Sequence, residues 1–425
     1  MTRSTGRSRS SFGKSFIISV VSALVGGLLV LNMTTLQELH THLFTFPQDE
    51  AMDAPKETTA PEEPAPEEPA PKEDPPPYFK VAQYKFPSVQ ERLQYYMGSW
   101  YNKFDWTPTN ATCQQLNKVR DSTESYEVAT LFTTTFLKEC KEMGWRKLHM
   151  SLYCGNAYDQ INEFVDNTDS SNNRWLVLFG DRVDIDNTLP IIVKARASAL
   201  SHDSKSITWL LNEGWHYRAL TTYHNDIVKK GKEIPWSEKE SKVFWRGVTT
   251  GTRMDKLAQW INYDDKRTDI AFSNVVQQAP GFIEKYMKRH HVRRQTTIPQ
   301  MNRYKYLLCV EGNDVATGLK WMLYSNSVVF MSRPTVATWA MEDLLLPFVH
   351  YIPLANDYSN LLQMVQWAEE HDEACQEISK RATEFMEHLW ISDQAKKDTE
   401  YLKKTLVTSY AKQFDGALSK CDLVP

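Results

Sequence analysis

From Pro47 to Tyr78 the chain is dominated by proline, alanine and glutamate, with APEEPAPEEPAPKEDPPP as its clearest stretch. A repeat without large apolar side chains has no core to bury. Its prolines and like charges hold it extended. The fold must therefore come from the residues beyond Tyr78, a length sufficient for one large domain or two lobes of ordinary size.

The N-terminal side of the repeat is of another kind. Phe16 to Leu31 reads FIISVVSALVGGLLVL, and Arg3, Arg7, Arg9 and Lys14 come before it with no acidic residue among them. Basic residues ahead of an apolar run place the N-terminus in the cytosol and the rest across the membrane. A cleaved signal peptide is the competing reading, but the run is long for one and no small-x-small site follows it. The expected layout is a cytoplasmic tail over residues 1–15, a transmembrane signal-anchor over 16–33 and a luminal stem over 34–78. That describes a single-pass type II protein of the Golgi or endoplasmic reticulum membrane. Asn110-Ala111-Thr112 is a glycosylation sequon consistent with a lumen.

The remaining chain has ordinary globular composition, with 41% hydrophobic and 24% charged residues, so most of it has the means to bury a core. A net charge of −4 argues against a nucleic-acid partner. The six cysteines are widely spaced and contain no C-x-x-C pair, which disfavours zinc. In a lumen, pairing is expected chiefly among Cys113, Cys140 and Cys154, whereas Cys309 reads as a buried free thiol.

Short apolar runs bounded by Gly, Asp, Asn or Pro recur at Trp175–Phe179, Pro190–Val193, Lys242–Trp245, Tyr306–Val310, Ser327–Met331 and His350–Leu354. Such runs suit strands buried on both faces. Helix-like stretches fall at Val89–Tyr101, Glu127–Trp145, Thr317–Tyr324 and Tyr358–Glu370. Alternation of this kind predicts an α/β protein with two doubly wound sheets. The expected lobes are 79–235 and 236–390, followed by a helical tail over 391–425. Ligands of such sheets bind beyond the carboxyl ends of strands, so the residues just after these runs are the candidates.

Three constellations stand there. Val243 to Arg253 reads VFWRGVTTGTR: glycine permits close backbone approach, and Arg246 and Arg253 supply forked donors for a diphosphate. Tyr304 to Trp321 reads YKYLLCVEGNDVATGLKW, with a helix expected to start near Val315–Thr317 and its amides free for an anion. Glu311 is placed there to accept from ribose hydroxyls or to cap the chain, two roles that do not exclude one another. The third is Gly180-Asp181, a carboxylate beyond a buried strand and a candidate general base. Asp184-Ile185-Asp186 also spells D-x-D, a metal–nucleotide pattern.

The order and spacing of FWRGVTTGTR, KYLLCVEGNDVATGLKW, SNSVVFM, PFVHYIPL and DYSNLLQMVQWA resemble glycosyltransferase family 90 over roughly Phe244–Trp390. That family includes Rumi-type protein O-glucosyltransferases and fungal capsule-associated xylosyltransferases. The resemblance implies a GT-B-like fold of two Rossmann-like lobes, inversion at the anomeric carbon, and neither an essential metal nor a cofactor. It implies a donor, UDP-glucose or UDP-xylose, and a protein or glycan acceptor. By motif position Asp181 matches the catalytic base. Arg246, Gly247, Val248 and Arg253 match one donor loop; Asn313, Asp314, Val315, Ala316 and Thr317 match the other, with Glu311 and Gly312 leading into it. Animal members carry V-A-A-S-F-R before the lysine. Here Thr317-Gly318 stands in place of Phe-Arg, which leaves Lys320 as the cation to substitute. The alternatives are a GT-A-like metal-dependent transferase using Asp184 and Asp186, and a noncatalytic luminal lectin or chaperone on the same fold. The basic run Lys285–Arg294 reads as a solvated face, His350 as a core histidine, and His216-Tyr217-Arg218 as a candidate cleft wall.

Overall fold

The computed structural model describes residues 84–423, except 104, 121–129, 143–147, 165–172, 182, 184–188, 199–205, 209–217, 262–264 and 278–291. Among the described residues no helix is long and apolar enough to cross a membrane. The expected anchor at 16–33, the stem and the Asp184-Ile185-Asp186 string lie outside them, as does most of the basic run.

The first helix, α1 (Val89–Met97), begins with a capping box: Ser88 Oγ accepts from Glu91 N, and the Glu91 carboxylate accepts from Ser88 N at 2.7 Å. It ends at Gly98, which has φ +55°. After α2 (Asn110–Arg120), strand β1 (Thr130–Thr133) runs into α3 (Thr134–Glu142). The pattern from 127 to 145 predicts one continuous helix. The β-branched and aromatic Thr-Leu-Phe-Thr instead pairs antiparallel with β2 (Arg174–Leu178), beyond α4 (Leu148–Phe164). Two-residue strands follow: β3 (Ile192–Val193), β4 (Arg196–Ala197) and β5 (Ile207–Thr208). The first sheet runs β1-β2-β3-β5 and is parallel except for the β1 edge.

The second sheet is wholly parallel. It comprises β6 (Glu240–Val248), β7 (Thr268–Asn274), β8 (Tyr304–Leu308), β9 (Val328–Ser332) and β11 (Ile352–Leu354) in the order β11-β9-β8-β6-β7. Helices α5 (Arg253–Ile261), α6 (Leu319–Tyr324), α7 (Leu361–Glu370) and α8 (Asp372–Met386) belong to this part. Central residues such as Val243, Leu307, Leu308, Val328 and Phe330 are buried, each contributing roughly 1.5–3 kcal/mol by leaving water. In chain order the second and first strands precede the third, fourth and fifth across the sheet. The winding direction therefore reverses between β6 and β8, the switch point at which such sheets bind ligands.

The two sheets meet through a short ribbon, β4 paired antiparallel with β10 (Val336–Ala337), and through the Tyr96 hydroxyl, which donates to Trp339 O at 2.8 Å. Beyond α8, helix α9 (Asp393–Tyr410) returns to the first sheet. There the Tyr410 hydroxyl accepts from Leu176 N at 3.0 Å and donates to Pro190 O at 3.1 Å.

Cys140 bonds Cys154 as expected, but Cys113 bonds Cys421, 308 residues away at the end of the tail. Cys309 and Cys375 are buried free thiols, and burial pushes Cys309 up to about 12.

Candidate functional site

The loop after β6 and the loop after β8 face one another at the switch point. Gly251, with φ +59°, lies against the second loop so closely that a Cβ would fall 2.0 Å from Gly312 O. Conversely, a Cβ on Gly312 would come 2.9 Å from Thr250 Oγ1 and 3.3 Å from Arg253 Nη2. The two glycines are where the backbones nest.

Arg253 stitches the nest together. Its Nη1 donates to Thr250 Oγ1 at 2.9 Å, its Nη2 to Val310 O at 3.0 Å and its Nε to Val310 O at 3.2 Å. Burial holds its guanidinium below the usual arginine range, partly offset by Cys309 and Tyr358. Arg246 is also committed: it donates to Asp269 Oδ1 at 2.7 Å and to Asp269 O at 2.8 Å, and lies over the Phe244 ring. Arg293 shares the same Asp269 oxygen at 2.6 Å.

A cavity of about 320 Å³ opens between the loops. Arg246, Gly247, Val248, Arg253, Ala316 and Thr317, all expected from sequence, line it; so do Ser273, Gln295, Thr296 and Trp321, which sequence reasoning did not assign to a site. Gly247 is tight here, since a Cβ would meet the Trp245 ring at 2.5 Å.

The second motif divides into halves with different duties. Ala316 and Thr317 face the cavity, whereas Asn313, Asp314 and Val315 turn to the first lobe. Val315 packs with Ala195, Val336 and Val183. The helix starts at Leu319, behind a Gly318 cap, rather than at Val315–Thr317, and runs six residues. One expectation fails, and one is met in one of its two forms. Lys320 is 1% exposed, its ammonium held by Glu342 Oε1 at 2.5 Å, so it sits under the loop and is no substitute for a donor-binding arginine. Glu311 takes the capping role: its Oε1 accepts from Thr335 N at 2.9 Å and its Oε2 from the Thr335 hydroxyl at 2.5 Å.

Across from these loops, β2 and β3 end side by side, with Leu178 in register with Val193. Gly180, at φ +101°, turns the chain in a conformation that other residues rarely adopt, and delivers Asp181. The Asp181 carboxylate is 40% exposed. Its Oδ1 pairs with the Lys194 ammonium just beyond β3, and its Oδ2 accepts from Asn313 Nδ2 at 3.4 Å. Lys194 also reaches Asp314 Oδ2 at 2.6 Å. Burial raises the Asp314 carboxyl above the usual carboxylate range while Lys194 draws it back. Sequence reasoning misses Lys194, although it follows the apolar run Pro190–Val193, where the strand-end rule points. His216 and Tyr217 lie outside the described residues.

A wholly parallel sheet with a glycine-lined cavity at its switch point is the arrangement in which open α/β sheets bind ligands, and a carboxylate from the first sheet meets the loop that walls this one. Residues 208–419 match the model of glycosyl transferase family 90, and through them the chain belongs to that family. The matched segment contains both cavity loops but begins after Asp181 and Lys194. Among curated relatives, O-glucosyltransferase LpsA of Dichelobacter nodosus is 31% identical over 174 residues, 41% of this chain and 50% of that protein. Protein O-glucosyltransferase 2 of Danio rerio is 29% identical over 35% of this chain and 29% of its own length. Protein O-glucosyltransferase 1 of Homo sapiens is 26% identical over 40% of this chain and 43% of its own. The chain thus spans half or less of each of these relatives.

Proposed function

We propose that this protein is an inverting, metal-independent glycosyltransferase of GT-B-like build, moving glucose or xylose from a UDP-sugar to a hydroxyl of a protein or glycan acceptor. The observation that carries the reading is that a carboxylate, Asp181, meets Asn313 on the same loop whose Ala316 and Thr317 line the cavity between two nested glycine loops. The names of the relatives favour glucose and, for the animal ones, a protein acceptor.

In this reading the diphosphate lies against the loops after β6 and β8, where Arg253 and backbone amides offset its charge. The acceptor oxygen attacks the anomeric carbon from the Asp181 side. A carbon–oxygen bond to the acceptor forms as the bond from the anomeric carbon to the phosphate oxygen breaks. The electron pair leaves with UDP, and the acceptor proton passes to the Asp181 carboxylate. No cofactor enters the step. Residues 16–33 would anchor the chain with this domain in the Golgi or endoplasmic reticulum lumen.

The test is UDP release by the full chain from a panel of UDP-sugars, with and without EDTA, with the anomeric configuration of the product determined. Release from UDP-glucose or UDP-xylose that survives EDTA and inverts the anomer is expected. Strict dependence on added Mn²⁺ would overturn metal independence and turn attention to Asp184 and Asp186. UDP binding without turnover on any donor would favour a noncatalytic lectin or chaperone.

A further inference from the structure

Lys194 does not line the cavity, yet its side chain is only 8% exposed and sits between two carboxylates. An ammonium is rarely buried unless paired, and here its pairs come from different lobes. Asp181 stands at the end of β2 and Asp314 on the loop after β8. The link is reinforced on one side by Ala195 packed with Val315, neighbours of Lys194 and Asp314, and on the other by the β4–β10 ribbon. Two residues beyond Asp314 the same loop becomes the cavity wall at Ala316.

We propose that Lys194 is a positioning residue that yokes Asp181 to the cavity loop through Asp314, so that the loop shaping the donor site also sets the carboxylate facing the acceptor. This rests on the reading of Asp181 as base. Lys194 touches no substrate; it acts by fixing where the Asp181 oxygens point and by offsetting one of two carboxylate charges. Asp314, in turn, acts only through Lys194. Asn313 Nδ2, on the other Asp181 oxygen, leaves that residue restrained from both sides.

The yoke predicts a split between turnover and donor binding. With UDP-glucose as donor, Lys194→Met should lower kcat about thirtyfold or more while the Kd for UDP stays within about threefold. Lys194→Arg, whose fork also spans two carboxylates, should recover most of that loss. Asp314→Asn should lower kcat about fivefold with unchanged UDP binding. In the double variant Lys194→Met/Asp314→Asn the loss should equal that of Lys194→Met alone.

Full kcat in Lys194→Met, or losses that multiply in the double variant, would overturn the yoke. Should Lys194→Met fail to bind UDP because it does not fold, Asp314→Asn and Lys194→Arg decide, and wild-type kcat in the former counts against it. Asp181→Asn run beside them separates the two ideas. If it keeps turnover the base assignment is lost, whereas if it alone loses turnover only the yoke is.

Discussion

The two lobes bring unequal construction to one cleft. The second sheet has strands of three to nine residues, no disulfide among the described residues and two buried free thiols. Its site is locked by contacts within the lobe: Gly251 on Gly312, and Arg253 on Thr250 and Val310. The first sheet has two strands of only two residues, β3 and β5, yet presents Asp181 and Lys194. It carries a local link, Cys140–Cys154, and two from distant chain: Cys113–Cys421 and the hydroxyl of Tyr410 on Leu176 and Pro190. The side of the two glycine loops is thus organised by contacts within its own lobe, and the Asp181 side leans also on tethers to distant chain.

The sharpest way to separate the sides is at the carboxylate. Asp181→Asn should reduce turnover by about two to four orders of magnitude, the usual worth of a general base, while UDP affinity measured by calorimetry changes little. Comparable losses in both quantities would mean that Asp181 belongs to the donor site and that the division is wrongly drawn.

Removing the long tether should strike the first lobe. Cys113→Ala with Cys421→Ala frees a link across 308 residues, and roughly 2–4 kcal/mol of stability should go with it. Hydrogen exchange should rise first around β2 and β3 and leave β6 and β8 protected. Uniform loss of protection would show the lobes to be one cooperative unit.

At the two glycine loops, Arg253→Met should weaken UDP binding about tenfold, since the donors that hold both loops are lost together. A drop in kcat at saturating donor, with unchanged UDP affinity, would instead assign Arg253 to the reacting bond.

What is legible from sequence divides along the same line. The apolar runs mark β2, β3, β6, β8, β9 and β11 but not β1, β5 or β7, and the rule of strand ends leads to Asp181, Arg246 and the loop after Glu311. Those are local signals. Lys320 is misread because its partner, Glu342, lies 22 residues further on, and an unpaired charge in a motif looks available. The Cys113–Cys421 link and the return of α9 to the first sheet are long-range facts with no local pattern. The six-residue length of α6 is hidden because Thr317 and Gly318 suit a helix start and a turn equally.

The smallest expected effect lies where the leading segment meets the second lobe. His350 is fully buried, stacked edge-on to Tyr84 at 4.4 Å and to Phe385 at 5.4 Å, and its Nδ1 accepts from Leu346 N at 3.0 Å. That bond requires the neutral ring. Burial, with a smaller contribution from Arg381, holds its pKa down to about 4, from an ordinary value of 6.5. Between those values the unfolded chain binds the proton more readily than the folded one. Stability is therefore complete above about pH 6.5, falls as pH drops through that point, and levels off near pH 4. The loss should reach about 1 kcal/mol by pH 5.5. His350→Gln keeps an acceptor for Leu346 N but carries no titrating ring, so its stability should slope less in this window. An unchanged slope in denaturant titrations at pH 7 and pH 5.5 would move the acid sensitivity elsewhere, to carboxylates of the first lobe.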